Sequence, residues 1–524
     1  MSIIFVHFLA IKYRKICFFI HNRHLIYKNI FIFTDYYGIM ILYYRTNKNK
    51  TEDHTIIKGK KFMKKIRIDG KTFFADDGEK LSDILIKAGK STEHLCGGKG
   101  ICRKCRVFVD GKETLSCQYR IHTDIEVTIP ESTEILSVSG AEESGTSTGN
   151  TCLALDIGTT TLALAQISCD ESRITKVITA TNPQRAFGAD IMTRIEHCMK
   201  NGCSEMTDVL IKKINNMIAQ AGFSPAERLY VSGNTTMLHL FFGIDPSGMG
   251  TAPYTPVFLE SKYEKSGRIK GVKEIISLPS VASFVGADIV AGLGFIGMTD
   301  NEKYNLLIDL GTNAEIILFS KEKIICTSAA AGPCFEGANI SCGMSATSGA
   351  ICSYSKGRIE TIFSAPAKGI CGTGLIDIIA ELLSDGEIDK TGFMEKEEIE
   401  LAENIFVNQS DIRQYQLAKS AVNSAISSLM KSCHIRYEDI DKVYISGGFS
   451  DKLNIRNAVN TGLIPKEFEK KCVAINNSSL LGCVKFALEN NDLSVFIEKA
   501  EYIDLSADKY FADLFIENMM LNAD

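Results

Sequence analysis

Leu153-Ala-Leu-Asp156-Ile-Gly158-Thr159-Thr160-Thr-Leu-Ala-Leu-Ala is an apolar run that ends on a carboxylate, turns through small hydroxylated residues and resumes as a second apolar run. The pattern returns 153 residues on, as Leu306-Leu-Ile-Asp309-Leu-Gly311-Thr312-Asn313-Ala-Glu315-Ile-Ile-Leu. Each copy predicts a strand, a tight turn and a return strand. A turn built of Gly, Thr and Asn leaves amides and hydroxyls to cradle phosphate, while the Asp at the strand end suits Mg2+ or its water shell. A single Asp-x-Gly-Thr is weak evidence, since it occurs in plain turns and in aspartic proteases. Two in tandem, each opening half of an α/β domain, predict a duplicated nucleotide fold. The protease reading fails on the first strand, which lacks the hydrophobic-Gly sequence that should follow it.

A third element, Val443-Tyr-Ile-Ser-Gly447-Gly448-Phe-Ser450, is a strand running into a Gly-Gly turn, suited to close approach of an adenosine. Together these stretches resemble the phosphate-1, phosphate-2 and adenosine motifs of the superfamily of acetate and sugar kinases, heat-shock chaperone ATPases and actin (ASKHA, RNase H-like). The resemblance implies ATP with Mg2+ as a cofactor. It assigns nucleotide contacts to Asp156, Gly158, Thr159 and Thr160, to Asp309, Gly311, Thr312 and Asn313, and to Gly447 and Gly448. Other stretches carry two readings. Val231-Ser-Gly233-Asn234-Thr235-Thr236 is a ligand loop or a turn in which Asn234 caps a helix. Ala331-Gly-Pro-Cys334-Phe-Glu336-Gly337 is a connecting turn near the phosphates, with Cys334 buried rather than reactive. Gly369-Ile-Cys-Gly372-Thr-Gly374 is a helix entry whose glycines serve helix–strand packing or phosphate. Asp411 begins a long helix through Lys431, whose exposed face could border the nucleotide.

Upstream, Lys64–Ile68, Asp69-Gly70-Lys71 and Thr72–Ala75 read as a hairpin, and Leu81, Ile84, Leu85 and Ala88 recur at helical spacing before Gly89. Strands at Arg106–Val109 and Ile125–Ile129 complete a small β-grasp sheet. Cys96, Cys102, Cys105 and Cys117 have the spacing C-x5-C-x2-C-x11-C. Three thiolates on one loop and a fourth from another segment can surround a two-iron cluster, and Gly97, Gly98 and Gly100 let amides turn toward sulfide. A four-cysteine zinc site would show two short knuckles, and here there is one. The module resembles plant- and adrenodoxin-type ferredoxins, so these cysteines are the expected ligands of a [2Fe-2S] cluster.

The chain of 524 residues is 45% hydrophobic and 23% charged, with a net charge of −5 that gives no reason to expect nucleic acid. Most of the 17 cysteines lie singly in apolar segments, among them Cys152, Cys169, Cys326, Cys352, Cys472 and Cys483, as suits buried thiols in a reducing cytoplasm. Residues 1–62 differ in composition. Charges at Lys12, Arg14, Lys15, Arg23, Lys28 and Asp35 interrupt any run near the ~18 apolar residues of a membrane span. The segment reads as a misassigned or non-functional leader, with Met63 a natural start. The expected organisation is therefore a leader over 1–62, an α+β β-grasp [2Fe-2S] ferredoxin domain over 63–135, and a flexible linker over 136–150. A duplicated α/β ASKHA domain follows, with halves at 151–300 and 301–524.

A ferredoxin joined to such a nucleotide domain resembles the reductive activators of corrinoid proteins. The resemblance lies in Asn182-Pro-Gln184, Phe187-Gly-Ala-Asp190-Ile-Met-Thr-Arg194, Gly233-Asn-Thr-Thr-Met, Val285-Gly-Ala-Asp288, Ile308–Glu315 and Asp411–Lys419, and spans about 63–490. It implies ATP-dependent return of cob(II)amide to cob(I)amide on the corrinoid protein of a methyltransferase system. It further implies an external low-potential electron donor, a homodimer, and neither a membrane nor a nucleic-acid partner. The chain departs from longer members in having only the short linker between ferredoxin and nucleotide domain. Plant-type clusters lie near about −400 mV, and each 59 mV of deficit is about 1.4 kcal/mol that nucleotide binding must supply. Competing readings are an activator of another low-potential enzyme, a small-molecule kinase with Glu315 or Asp288 as base, and a non-enzymatic redox regulator. A dehydratase-type activator would hold a [4Fe-4S] cluster on paired cysteines, which the nucleotide domain lacks.

Overall fold

The computed structural model describes residues 63–68, 70–88, 105–129, 150–223, 225–298, 303–447, 452–505 and 507–521, and ahead of them the backbone of five strands. Those five, from Val6–Ile11 to Lys50–Ile56, pair in sequence order as an antiparallel sheet. The chain forms two compact units, one of Met1–Lys90 and Arg106–Pro130, the other of Ser91–Cys105 and Glu131–Asp524.

In the first unit the hairpin Lys64–Ile68 and Lys71–Ala75 turns through Gly70 at φ 77°. Its second strand starts one residue earlier than the sequence suggests. The strand Ile125–Thr128 lies parallel to Lys64–Ile68 and antiparallel to Arg106–Val109, giving a five-stranded mixed sheet with Lys112–Leu115 at one edge. Alternation sends Ile66, Ile68, Val107, Val109, Ile125 and Val127 to one face. There the helix Leu81–Lys87 covers them with Leu81, Ile84 and Leu85. This is the β-grasp arrangement. Gly89, Gly97, Gly98, Gly100 and the linker 136–149 lie outside the described residues.

The second unit holds two sheets of the same plan. Thr151–Ile157 pairs antiparallel with Thr161–Ser168, which pairs with Arg173–Thr181; Ala226–Gly233 and Val272–Ser277 then join in parallel on the other side. Tyr304–Leu310, Ala314–Phe319, Ile324–Ala329, Ile440–Ser446 and Cys472–Ala474 repeat that order and those directions. Central strands are buried on both faces, so Thr151–Ile157 has no exposed residue. Helices Ala287–Ile296 and Ser478–Glu489 cross at the centre so closely that a side chain at Gly482 would overlap the Ala291 backbone. The second of these helices places Leu480, Cys483 and Val484 in the core of the first half, stitching the two halves together.

The second half also carries the helices Gly372–Ser384 and Gln409–Ser432. Gly372 and Gly374 press against the Phe335 and Ile351 carbonyls, which is the packing reading of that glycine-rich entry. The long helix is capped by Asn408 and Asp411 in a reciprocal pair. Its Gln416, Lys419 and Ser420 grip the carbonyls of Met519, Met520 and Phe515, so these side chains anchor the C-terminal segment. No helix among the described residues is long and apolar enough to cross a membrane.

Candidate functional site

The two phosphate-type turns, Gly158–Thr160 and Gly311–Asn313, sit at equivalent strand ends of the two halves, and side chains from distant parts of the chain shape them. Asn182 donates to the Gly158 carbonyl at 2.8 Å, the fully buried Arg194 to the Thr159 carbonyl at 2.6 Å, and Asn234 to the Thr159 hydroxyl at 3.1 Å. Burial, with Arg185 nearby, pulls the Arg194 guanidinium down to about 9. Asn234 also caps the helix Thr235–Phe242 by accepting from Met237 N at 2.9 Å, which is the capping reading of that loop. In the second turn Gly332 N donates to the Thr312 carbonyl at 2.9 Å. Glu336 links the two turns, its Oε2 accepting from Thr312 Oγ1 at 2.7 Å and from Thr160 Oγ1.

Beneath the turns, Asp156 accepts from Ser479 Oγ at 2.7 Å and Asn477 Nδ2 at 2.9 Å. The same helix start holds both sheets: Ser479 meets Ser232 at 2.9 Å, and Ser478 meets Ser446 at 2.7 Å. Burial raises the Asp156 carboxyl, and the two donors oppose that rise. Burial, then Asp156 and Glu336, push Asp309 up to about 7, with Ser446 as its opposing donor. Burial, then Asp309 and Asp156, push Asp288 up to about 8, and burial with Asp288 and Asp309 holds Glu315 well above its usual range. Four carboxyls thus converge on one recess and resist ionising together. A divalent cation would relieve that repulsion, so the donor set fits a metal–nucleotide complex.

Gly447 takes φ 128° with its α-carbon against the Leu310 carbonyl, and Gly233 takes φ 152° against Ile157 at the equivalent point of the first half. Glycine at 447 is therefore required by contact with the phosphate-2 strand itself. Gly448 lies outside the described residues, as do Cys96 and Cys102. Cys105 and Cys117 are buried, and Gln118 Nε2 lies 3.5 Å from Cys117 Sγ. Each is a shielded thiol, and Cys117 has an amide donor beside it, as suits a thiolate ligand. Cys334 is buried, its thiol pushed up to about 12, as expected for a packing residue. Cys152 is not solitary: its sulfur lies 3.2 Å from that of Cys169, just past the end of the neighbouring strand. Sequence reasoning did not single out Asn182, Arg194, Asn477 or Ser479 for these roles. The one local sign was Asn477-Ser478-Ser479 opening an apolar helix.

Three family models match the chain: a 2Fe-2S iron-sulfur cluster binding domain over 66–152, the RACo middle region over 151–301, and the C-terminal domain of RACo, the ASKHA domain, over 303–524. The chain is 24% identical to the corrinoid activation enzyme RamQ of Eubacterium limosum, over 84% of this chain and 96% of that protein. It is 29% identical to the [Co(II) methylated amine-specific corrinoid protein] reductase of Methanosarcina barkeri, over 67% of this chain and 72% of that one. Its fold is similar to a solved reductive activator for a corrinoid, iron-sulfur protein, with a TM-score of 0.67 and 24% identity, covering 88% of this chain and 98% of that one. The domain matches bring with them a [2Fe-2S] cluster and an ATP site. With its ferredoxin, middle and ASKHA regions matched in order, the chain belongs to the RACo family, the reductive activators of corrinoid proteins.

Proposed function

We propose that this protein uses ATP to deliver a low-potential electron from its [2Fe-2S] cluster to the cob(II)amide of a corrinoid methyl-carrier protein, restoring cob(I)amide. The observation that carries the reading is the union, in one chain, of a [2Fe-2S] domain match with a duplicated nucleotide cleft. The names of its relatives support the substrate class. The bound cluster supplies single electrons. Cys96, Cys102, Cys105 and Cys117 are its proposed ligands, and burial of Cys105 and Cys117 keeps water from two of the sulfurs.

In this reading Gly158, Thr159, Thr160, Gly311, Thr312 and Asn313 hold phosphate through amides and hydroxyls, Asp156 and Asp309 orient Mg2+, and Gly447 with Gly448 admits the adenosine. Because the phosphate turns come from different halves, nucleotide binding favours their closure, and that free energy can be coupled to corrinoid reduction. The domain division carries over: ferredoxin 63–135, linker 136–150, ATPase halves 151–300 and 301–524. A cytoplasmic homodimer fed by an external low-potential donor completes the proposal. Anaerobic mixing with reductant, ATP and a cob(II)amide protein should produce the cob(I)amide absorption band. Full-rate reduction without ATP, or an undiminished rate in Cys102→Ala, would overturn it.

A further inference from the structure

Glu336 ends the 3-10 turn Pro333–Glu336, and its carboxylate overhangs the second phosphate turn. Oε2 accepts from Thr312 Oγ1 at 2.7 Å and from Thr160 Oγ1, while a Cβ on Gly311 would lie 3.6 Å from Oε1. Thr312 matches Thr159 in the repeat and Thr160 is the next residue of the first turn, so a single oxygen ties one half of the cleft to the other. Packing delivers it there. Phe335 is buried with its carbonyl against Gly372, and Gly337 takes φ 75° against the Met344 backbone. The Gly332 amide pins the start of the same turn to the Thr312 carbonyl at 2.9 Å.

A nucleotide phosphate is the chemical rival of this carboxylate. It accepts from the same hydroxyls, and as an anion it is repelled by the group it must displace. We infer that Glu336 is a positioning residue of the ATP site. It is a built-in competitor that holds the two turns together until phosphate takes over their hydroxyls, and a divalent cation lets both anions share the cleft. The inference rests on the ATP reading given above. It also makes Glu336 part of the coupling: phosphate entry releases one link between the halves and replaces it with another.

Calorimetric titration of ATP into the cluster-loaded full chain, with Mg2+ and with chelator, tests this on wild type, Glu336→Gln and Glu336→Ala. Removing the charge should raise affinity for Mg2+-free ATP on the order of tenfold and shrink the affinity gained from Mg2+ by the same factor. A residue with only a structural role would lower both affinities in parallel. Either variant that retains the wild-type thermal melt decides the matter, and an unchanged Mg2+ gain or a parallel loss overturns the inference. Failure of the wild type to bind ATP under any condition would instead sink the ATP reading itself.

Discussion

The two halves of the nucleotide domain share strand order, turn and strand-end carboxylate, yet they support that carboxylate differently. In the first half Asp156 has two side-chain donors, and its turn is braced from behind by Asn182, Arg194 and Asn234. In the second half Asp309 faces Ser446 as its donor, has Asp156 and Glu336 as repelling neighbours, and sits up at about 7. A duplicated fold thus supplies one pre-organised half and one whose charge state responds to what enters the cleft. A cation or phosphate arriving at the second turn meets groups that change protonation or partner, and that is where ligand binding can do work on the structure.

The most damaging single change should be Arg194→Ala. It leaves the carbonyls of Thr159 and Gly188 bare and opens a cavity behind the first turn, costing about 4 kcal/mol of stability by denaturant titration. If the first turn is not the rigid one, the cost will be far smaller. Gly447→Ala and Gly233→Ala probe the equivalent strand ends. Each forces a side chain into a positive-φ backbone, and Gly447 has the tighter carbonyl contact. We expect a loss of about 3 kcal/mol at 447 and less at 233.

Asp309→Asn tests the electrostatic half of the contrast. A carboxyl raised in the folded state binds protons more tightly there than in the unfolded chain, so the nucleotide- and metal-free protein loses stability as pH rises from about 4 through about 7. The variant should lessen that slope, leaving the part that Asp288 contributes, and gain about 2 kcal/mol at pH 8. It should also bind MgATP poorly, and an undiminished pH slope would place the titrating group elsewhere. Ser479→Ala, the mildest change, removes one of Asp156's donors and should cost about 1 kcal/mol in thermal melts.

Much of this was legible in local sequence because the determinants are local. Gly70 marked the hairpin turn, the spacing of Leu81, Ile84 and Leu85 marked the helix, and the long helix read from Asp411 through Lys431 runs Gln409–Ser432. The long helix turns its buried Gln416 and Lys419 to the carbonyls of the C-terminal segment, a pairing that local sequence did not name. Hydrogen-bonding side chains on a helix announce that they need partners, not which ones.

The sequence by itself determined the family of turns, their duplication and the cysteine spacing, because each is written within a dozen residues and constrained by backbone geometry. Only the tertiary structure decided what surrounds the turns. Asn477 and Ser479 reach Asp156 across 321 and 323 positions, and Glu336 reaches Thr160 across 176. No periodicity connects residues so far apart. They meet because two sheets of one plan pack around a single pair of crossing helices, and that packing brings the carboxylates of both halves into one recess.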